Sequence, residues 1–251
     1  MTVPASKPLP KKLKQDAIIE AIFEMRFDTG TIAEILFGRL ADDDRWKGLE
    51  QQRLPVSDFP LQLRELDPNL RFAPVFELRD EKNHRAIRIG PHVLSFHQLA
   101  PYVGWQEFKP ELTRAIEALF ASADRLTLKR LGLRYLNAWR SDVHGIRSIR
   151  DLDVSISVDH EVLAGKMNLN FTTDVSTNDS CTVRIATTDF TQGSIPATTS
   201  VMVDVDVFTK EPIKIKTEAE TKTWLEVAHT AEKSQFFRLL PVETIETLKE
   251  E

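Results

Sequence analysis

The chain has 251 residues, of which 41% are hydrophobic and 28% are charged, a composition typical of globular proteins that bury a sizeable core. Its formal net charge of −5 excludes the strongly basic surface by which whole domains bind nucleic acid. No apolar run approaches the roughly 18 residues that a membrane-spanning helix requires, and a single cysteine, Cys181, excludes an internal disulfide and a cysteine-rich zinc site.

The first 14 residues contain three prolines and four lysines, but no apolar stretch like that at the centre of a secretory signal. We therefore expect residues 1–14 to form a flexible arm. Together with the single cysteine, this predicts a cytoplasmic protein that does not associate with membranes.

Residues 15–145 alternate between strand and helix patterns. Ala17–Phe27 has apolar residues at every second position, which predicts a half-buried strand, whereas Thr31–Ala41 has them at helical spacing. Because Pro110 fits only the first turn of a helix, the next long helix should begin close to Glu107. The other elements expected here are a short helix at Leu61–Leu66, strands at Arg71–Arg79, Arg85–Ile89 and Val93–Gln98, and a long strand at Leu126–Arg140.

Residues 150–251 contain four strand-like runs and a closing helix. Turn-rich segments separate the later runs, and this regular spacing is typical of an antiparallel sheet. The expected elements are strands at Val154–Val158, Lys166–Val175, Cys181–Phe190 and Ser200–Phe208, a helix within Thr217–Leu240 and a short acidic helix within Pro241–Glu251.

This local antiparallel pairing favours an α+β fold over a parallel wound sheet. We expect two mainly antiparallel sheets, each packed with helices, in an N-terminal sub-domain (residues 15–145) and a C-terminal sub-domain (residues 150–251). The polar stretch His144–Arg150 is the expected boundary. The alternative is a single curved sheet that grips the C-terminal helix, which would create a ligand cavity between sheet and helix.

Five short blocks follow one another along nearly the whole chain. They are Ile18–Phe27 (IIEAIFEMRF), Ile89–Pro91 with Leu94–Ser95, Pro101–Phe108 (PYVGWQEF), Arg130–Asn137 (RLGLRYLN) and Asp204–Phe208 (DVDVF). In these blocks the chain resembles a family of uncharacterised prokaryotic proteins of about this length that are described as sporadically distributed. The resemblance implies no activity, cofactor or catalytic residue. The sporadic distribution implies horizontally exchanged genes, such as those of mobile elements or antiphage-defence loci.

Asp204 and Asp206 alternate with valines, so a strand places both carboxylates on one face, about 6–7 Å apart. Such a pair can hold Mg²⁺ when a third acid joins from a neighbouring strand, and Asp174 or Asp189 is a candidate. The pattern thus suggests a metal-dependent phosphoryl-transfer or nuclease-like enzyme. The alternative is an ordinary strand with one apolar face and one solvated face.

Arg130 and Arg134 flank Gly132 on one face of the long strand, which leaves bare backbone between two guanidinium groups. This arrangement can cradle the phosphate of a nucleotide or of a nucleic-acid backbone. However, residues 125–150 hold seven basic residues and one acid, whereas residues 159–209 hold seven acids and two basic residues. The alternative is that the two segments neutralise each other.

Tyr102, Trp105 and Phe108 form an aromatic cluster before and within the predicted helix. The cluster can line an apolar ligand site or stack on a base, which makes Tyr102 and Trp105 candidate ligand-binding residues. The alternative is a hydrophobic core under the junction between strand and helix, with Gly104 serving the turn.

The sequence contains no nucleophile elbow, no phosphate-binding glycine loop and no dinucleotide fingerprint. The first functional hypothesis is therefore a non-catalytic binding or interaction protein without a cofactor, which has a protein partner and can form homo-oligomers. The alternatives are the metal-dependent enzyme, with Mg²⁺ as its cofactor, and nucleotide or nucleic-acid binding through Arg130 and Arg134. His92 and His97 are expected on opposite faces of a strand, which argues against a shared metal ion.

Overall fold

The computed structural model describes residues 9–10, 12–68, 70–163, 165–190 and 195–250. The strands are β1 (Ile18–Asp28), β2 (Glu50–Arg53), β3 (Phe76–Asp80), β4 (Arg85–Gly90), β5 (Val93–Leu99), β6 (Thr127–Arg140), β7 (Ser157–Val158), β8 (Glu161–Val162), β9 (Asn168–Asp174), β10 (Asp179–Thr187) and β11 (Thr199–Thr209). The helices are α1 (Ala33–Ala41), α2 (Leu61–Leu66), α3 (Trp105–Ser122), α4 (Ser141–His144), α5 (Glu218–Arg238) and α6 (Val242–Leu248). Within these ranges, no helix combines the length and apolar composition needed to cross a bilayer.

Nine of the strands form one antiparallel sheet in the order β2-β3-β4-β5-β1-β6-β11-β10-β9. The helices and this sheet confirm the α+β class, but the expected division into one helix-packed sheet for each sub-domain is wrong, because strands from both sub-domains share the nine-stranded sheet. The reason is that β6 is hydrogen-bonded along its length to β1 on one side and to β11 on the other. A strand of 14 residues at the edge of a smaller sheet would leave many backbone groups unpaired. The strands before residue 145 and those after residue 150 therefore belong to the same sheet, as in the single-sheet alternative.

The strand expected at Val154–Val158 does not join this sheet. Only Ser157 and Val158 are in strand conformation, and they pair with β8 in a separate two-stranded ladder. The turn between them contains Asp159 and His160, which have φ angles of 49° and 66°. This tight hairpin turns the chain back on itself.

The topology repeats around the central pair of strands, β1 and β6. β1 is flanked by β5, the last strand of the meander β3-β4-β5, and β6 is flanked by β11, the last strand of the meander β9-β10-β11. A long helix follows each meander, and these two helices, α3 and α5, contact each other. The strand–meander–helix unit thus occurs twice, although no short sequence repeat indicates it.

One face of the sheet packs against α3 and α5 and forms the core. In β1, the side chains of Ala21, Phe23, Met25 and Phe27 are fully buried, which confirms the predicted alternation. Each large side chain of this kind contributes about 1.5–3 kcal/mol when it is buried. The opposite face carries the polar residues of the same strands.

Helix α3 begins at Trp105, two residues before the predicted start, and Pro110 lies in its interior. Gly104 precedes the helix with a φ of 87°, and its carbonyl oxygen accepts hydrogen bonds from the N–H groups of Glu107 and Phe108. Pro110 is therefore the sixth residue of the helix and not part of its first turn as predicted, so the carbonyl oxygen of Gln106 lacks the hydrogen bond that residue 110 would otherwise donate. Because the helix starts earlier than predicted, Trp105 is its first residue. The helix, and not the preceding loop, therefore sets the position of the Trp105 side chain.

The predicted arm is only partly within the described residues, since residues 1–8 and 11 lie outside them. Residues 12–14 run beside the end of α6. Leu13 is buried, the N–H of Lys14 donates to the carbonyl oxygen of Leu248 at 2.8 Å, and the N–H of Glu250 donates to that of Lys12 at 3.0 Å. Residues 12–14 are therefore packed against the rest of the chain.

Candidate ligand-binding site

Two cavities lie on opposite faces of the sheet. The first, which we call the helix-side cavity, has a volume of about 560 Å³ and lies between α5, β6, the segment around Gly104 and residues 12–18. The second, the polar-face cavity, has a volume of about 370 Å³ and lies over β1, β5 and β6 on the side away from the helices. Both volumes fall within the range of roughly 300–1,000 Å³ that small-molecule sites occupy.

Aromatic side chains from three parts of the chain line the helix-side cavity. Trp105, at the start of α3, stacks on His229 of α5 with ring centroids 3.9 Å apart and an interplanar angle of 9°. Tyr102 packs edge-to-face on Tyr135 of β6, with centroids 5.7 Å apart and their hydroxyl oxygens 3.2 Å apart. These contacts join the loop, the helix and the sheet into one wall.

Both interpretations of the aromatic cluster apply, but to different residues. Tyr102 and Trp105 are half-buried and line the cavity, whereas Phe108 is fully buried and packs edge-to-face against both of them. The core ring of Phe108 therefore supports the two rings that face the cavity.

Glu232 brings a carboxyl group to the wall of this cavity. It lies on α5 in a stripe with Trp224, Ala228 and Phe236, which are spaced four residues apart and face the interior. Its exposed fraction is 6%, and no described residue forms a hydrogen bond or an ion pair with its carboxyl group. Burial raises the pKa of Glu232 to about 8, and the positive charge of Lys233 offsets this only in part. At pH 7 the carboxyl group is therefore mostly protonated and neutral.

Burial also shifts the pKa values of the groups around Glu232 towards their neutral forms. Burial lowers the pKa of His229 to about 4, so its imidazole is neutral at pH 7, and its buried Nδ1 has no partner in the described part of the chain. Burial also raises the pKa of Asp16, against the effect of Lys12, and lowers the pKa of Lys233. The cavity therefore combines aromatic walls with the carboxyl groups of Glu232 and Asp16, and burial raises the pKa of both.

Sequence reasoning identified Tyr102 and Trp105 but missed Glu232 and His229. A signal for Glu232 was present, because an acid that lies four residues from Ala228 and from Phe236 falls on the apolar stripe of the helix. His229 has no comparable signal, since its importance comes from the stack on Trp105, a residue 124 positions earlier.

The other predicted site residues meet on the opposite face of the sheet, where they pair with each other. Arg134 donates from Nε and Nη2 to the two carboxylate oxygens of Asp204, at 2.8 and 2.5 Å. Arg130 bridges Glu24 and Asp206, with both distances at 2.7 Å. This geometry agrees with the interpretation in which the basic and acidic segments neutralise each other.

The candidate metal ligands are engaged by cations of the protein itself. Asp204 and Asp206 do share one face of β11, but the third acids proposed for the site are held elsewhere, Asp174 by Lys210 at 2.9 Å and Asp189 by Lys166 at 2.6 Å. In the residues that the structure describes, no group of three or more His, Cys, Asp or Glu side chains is arranged to hold a metal ion. Burial raises the pKa of Asp206 in spite of Arg130 and Arg134, which is the effect of a desolvated ion pair.

The polar-face cavity also contains a chain of hydrogen bonds from Ser95 through His97 to Glu20. His97 Nε2 lies 2.8 Å from the Ser95 hydroxyl, and its Nδ1 lies 2.7 Å from the Glu20 carboxylate. Although the order is that of a hydrolase triad, Ser95 sits in an interior strand between Arg88 and Glu24. Its backbone N–H belongs to the β-ladder and cannot stabilise an oxyanion, so the network satisfies polar groups on a buried part of the face.

Comparisons with known proteins add no assignment. No family model matches the chain, and no curated protein shows significant similarity to it. The resemblance to the sporadically distributed prokaryotic family stays a prediction, and the candidate function depends on the geometry of the two cavities.

Proposed function

We propose that this protein is a non-catalytic binding protein that holds a small ligand in the helix-side cavity. The observation that carries the proposal is the buried carboxyl group of Glu232, which faces a cavity of about 560 Å³ and has no partner among the described residues. Because Glu232 lines the cavity, a ligand that enters the cavity can supply the hydrogen-bond partner that the described residues do not. A cytoplasmic location and a protein partner remain predictions from composition and from the absence of catalytic motifs.

The residues that line the helix-side cavity favour a binding function over a catalytic one. Ligand sites are mostly apolar concave surfaces with a few polar groups that orient the ligand. This cavity is lined by five aromatic side chains, Tyr102, Trp105, Tyr135, Phe236 and Phe237, together with the carboxyl group of Glu232. None of its side chains forms a pair of nucleophile and general base in the described residues. The ion pairs of Arg130 and Arg134 give no comparable support to nucleotide binding, because a phosphate would have to displace carboxylates that already hold both guanidinium groups.

A panel of aromatic fragments, examined by ligand-observed NMR, tests this proposal. We expect fragments to bind the wild-type protein and to bind about tenfold more weakly to Trp105→Ala, which removes one wall. Phe59→Ala is the matched control, because it removes an exposed ring that does not line the cavity. Fragments that bind Trp105→Ala as well as the wild type, or a panel without binders, contradict the proposal.

A further inference from the structure

The chemistry of the helix-side cavity narrows the class of ligand, provided that the cavity is a binding site as proposed. Its walls carry three carboxyl groups, those of Asp16, Glu107 and Glu232, and none of them accepts a hydrogen bond from a described side chain. The faces of the surrounding rings, those of Trp105, Tyr102 and Tyr135, carry the negative side of the aromatic quadrupole. A buried carboxylate and aromatic faces both attract a cation and repel an anion.

We propose that the ligand of the helix-side cavity carries a protonated amine, which pairs with the carboxylate of Glu232 and lies against the aromatic walls. An ammonium group supplies three donors and a positive charge, so it satisfies a carboxylate more fully than a neutral hydroxyl does. The part of the ligand beyond the amine is apolar, in keeping with Trp105 and Phe236 on the lining.

The two lysines on the lining do not already fill this role. The ammonium group of Lys233 forms no ion pair with Glu232, its neighbour on α5, and the side chain of Lys12 is exposed. Long lysine side chains keep their charged ends in water when they can. Among the described residues, none of the carboxyl groups on the lining is therefore held in an ion pair.

Binding of an amine must change the protonation of Glu232. In the free protein the carboxyl group is mostly protonated at pH 7, since its pKa is about 8. The groups that face it are Lys233 and His229 on α5, Tyr102 and Tyr135 beside the cavity, and Cys181 on β10. Burial favours the neutral form of each of them, and the positive charge of Lys233 lowers the pKa of Glu232. The ammonium ion favours the carboxylate, so the proton leaves Glu232 for the solvent while the amine keeps its own. Close to one proton per bound ligand is released at pH 7, and the affinity rises about tenfold per pH unit as the pH approaches 8.

Three probes of nearly equal shape test the inference: 2-phenylethylamine, 2-phenylethanol and phenylacetate, which are cationic, neutral and anionic. Titration calorimetry with the full chain at pH 7 measures each affinity, and Kd values of roughly 1 mM are expected for fragments of this size. We expect the amine to bind at least about tenfold more tightly than the alcohol, and this preference to vanish in Glu232→Gln. Measurements in buffers of different ionisation enthalpy should show release of the proton with the wild type and none with Glu232→Gln.

Glu218→Gln, on the same helix but outside the cavity, is the matched control and should retain the preference for the amine. Binding of 2-phenylethanol to Glu232→Gln shows that the variant is folded with an intact cavity. If the alcohol or phenylacetate binds the wild type as tightly as the amine, or if Glu232→Gln retains the preference, the amine is not the ligand class, while the proposed binding function stands. If none of the probes binds at about 10 mM, the binding function fails as well.

Discussion

Arg134 binds both carboxylate oxygens of Asp204 across the β6–β11 pair, at 2.8 Å from Nε and 2.5 Å from Nη2. The pair joins two residues that are 70 positions apart and belong to the two segments of opposite charge. Arg130, on the same strand, links to Asp206 by one hydrogen bond from Nη2 at 2.7 Å. The residues that the sequence indicates as candidates for metal or phosphate binding therefore pair with each other across β6 and β11.

Asp204→Asn should destabilise the protein, because it removes the partner of Arg134. The guanidinium group is 42% exposed and can be solvated, so we expect a loss of about 1 kcal/mol in the free energy of unfolding, measured with urea. A double-mutant cycle with Arg134→Met should give a coupling energy of similar size. In an empty metal site the adjacent carboxylates repel each other, and Asp204→Asn would then stabilise the protein. Stabilisation by the variant, together with a rise in Tm on addition of Mn²⁺, would support the metal-dependent enzyme instead.

Glu232→Gln should stabilise the protein at alkaline pH. The pKa of Glu232 is about 8 in the folded protein and near its ordinary value of 4.5 in the unfolded chain, so the folded state binds the proton more tightly. Between pH 4.5 and 8 the wild type therefore loses up to about 1.4 kcal/mol of stability per pH unit through this group, and the loss levels off above pH 8. The variant lacks this loss, and its advantage should reach roughly 2–4 kcal/mol at pH 8.

The measurement is the difference in free energy of unfolding between variant and wild type at several pH values. Because the pKa of His229 is lowered to about 4, the protein also loses stability as the pH falls below 6.5, but this effect is common to both proteins and cancels in the difference. A difference that does not change from pH 5 to pH 8 would show that Glu232 ionises normally in the folded protein.

The chain should unfold in a single cooperative transition. Strand β6 is hydrogen-bonded to β1 and to β11, so the strands before residue 145 cannot separate from those after residue 150 without breaking the centre of the sheet. We expect the change in tryptophan fluorescence and the change in far-UV circular dichroism to coincide during denaturation with guanidinium. Two separate transitions would instead support independent sub-domains at residues 15–145 and 150–251.

Which side of each long strand is buried could be predicted from the sequence, because alternation is a local property. The buried valines of β11, Val203, Val205 and Val207, follow it directly. The neighbours of each strand could not be predicted in the same way. Met25 lies opposite Leu94 in β5 and Leu131 in β6, and nothing local to these residues specifies such distant partners.

The site was predictable only in part, for a similar reason. Tyr102 and Trp105 belong to one short aromatic segment and were visible together in the sequence. The cavity also needs α5, whose position depends on packing against β6 and β11. Glu232 acquires its altered pKa only when that packing removes it from water, so the sequence could place it on the apolar stripe but could not give the loss of hydration.

The protonation state of Glu232 can be measured directly by ¹³C NMR of the protein labelled at the glutamate carboxyl carbons, with Glu232→Gln for assignment. In the free protein we predict a titration midpoint near pH 8, in line with the burial of the group. Saturation with 2-phenylethylamine should lower this midpoint by at least about one pH unit, because the ammonium ion favours the carboxylate. A midpoint near the ordinary value of 4.5 in the free protein, or a midpoint that does not move in the presence of the amine, would contradict the role assigned to Glu232 and to the helix-side cavity.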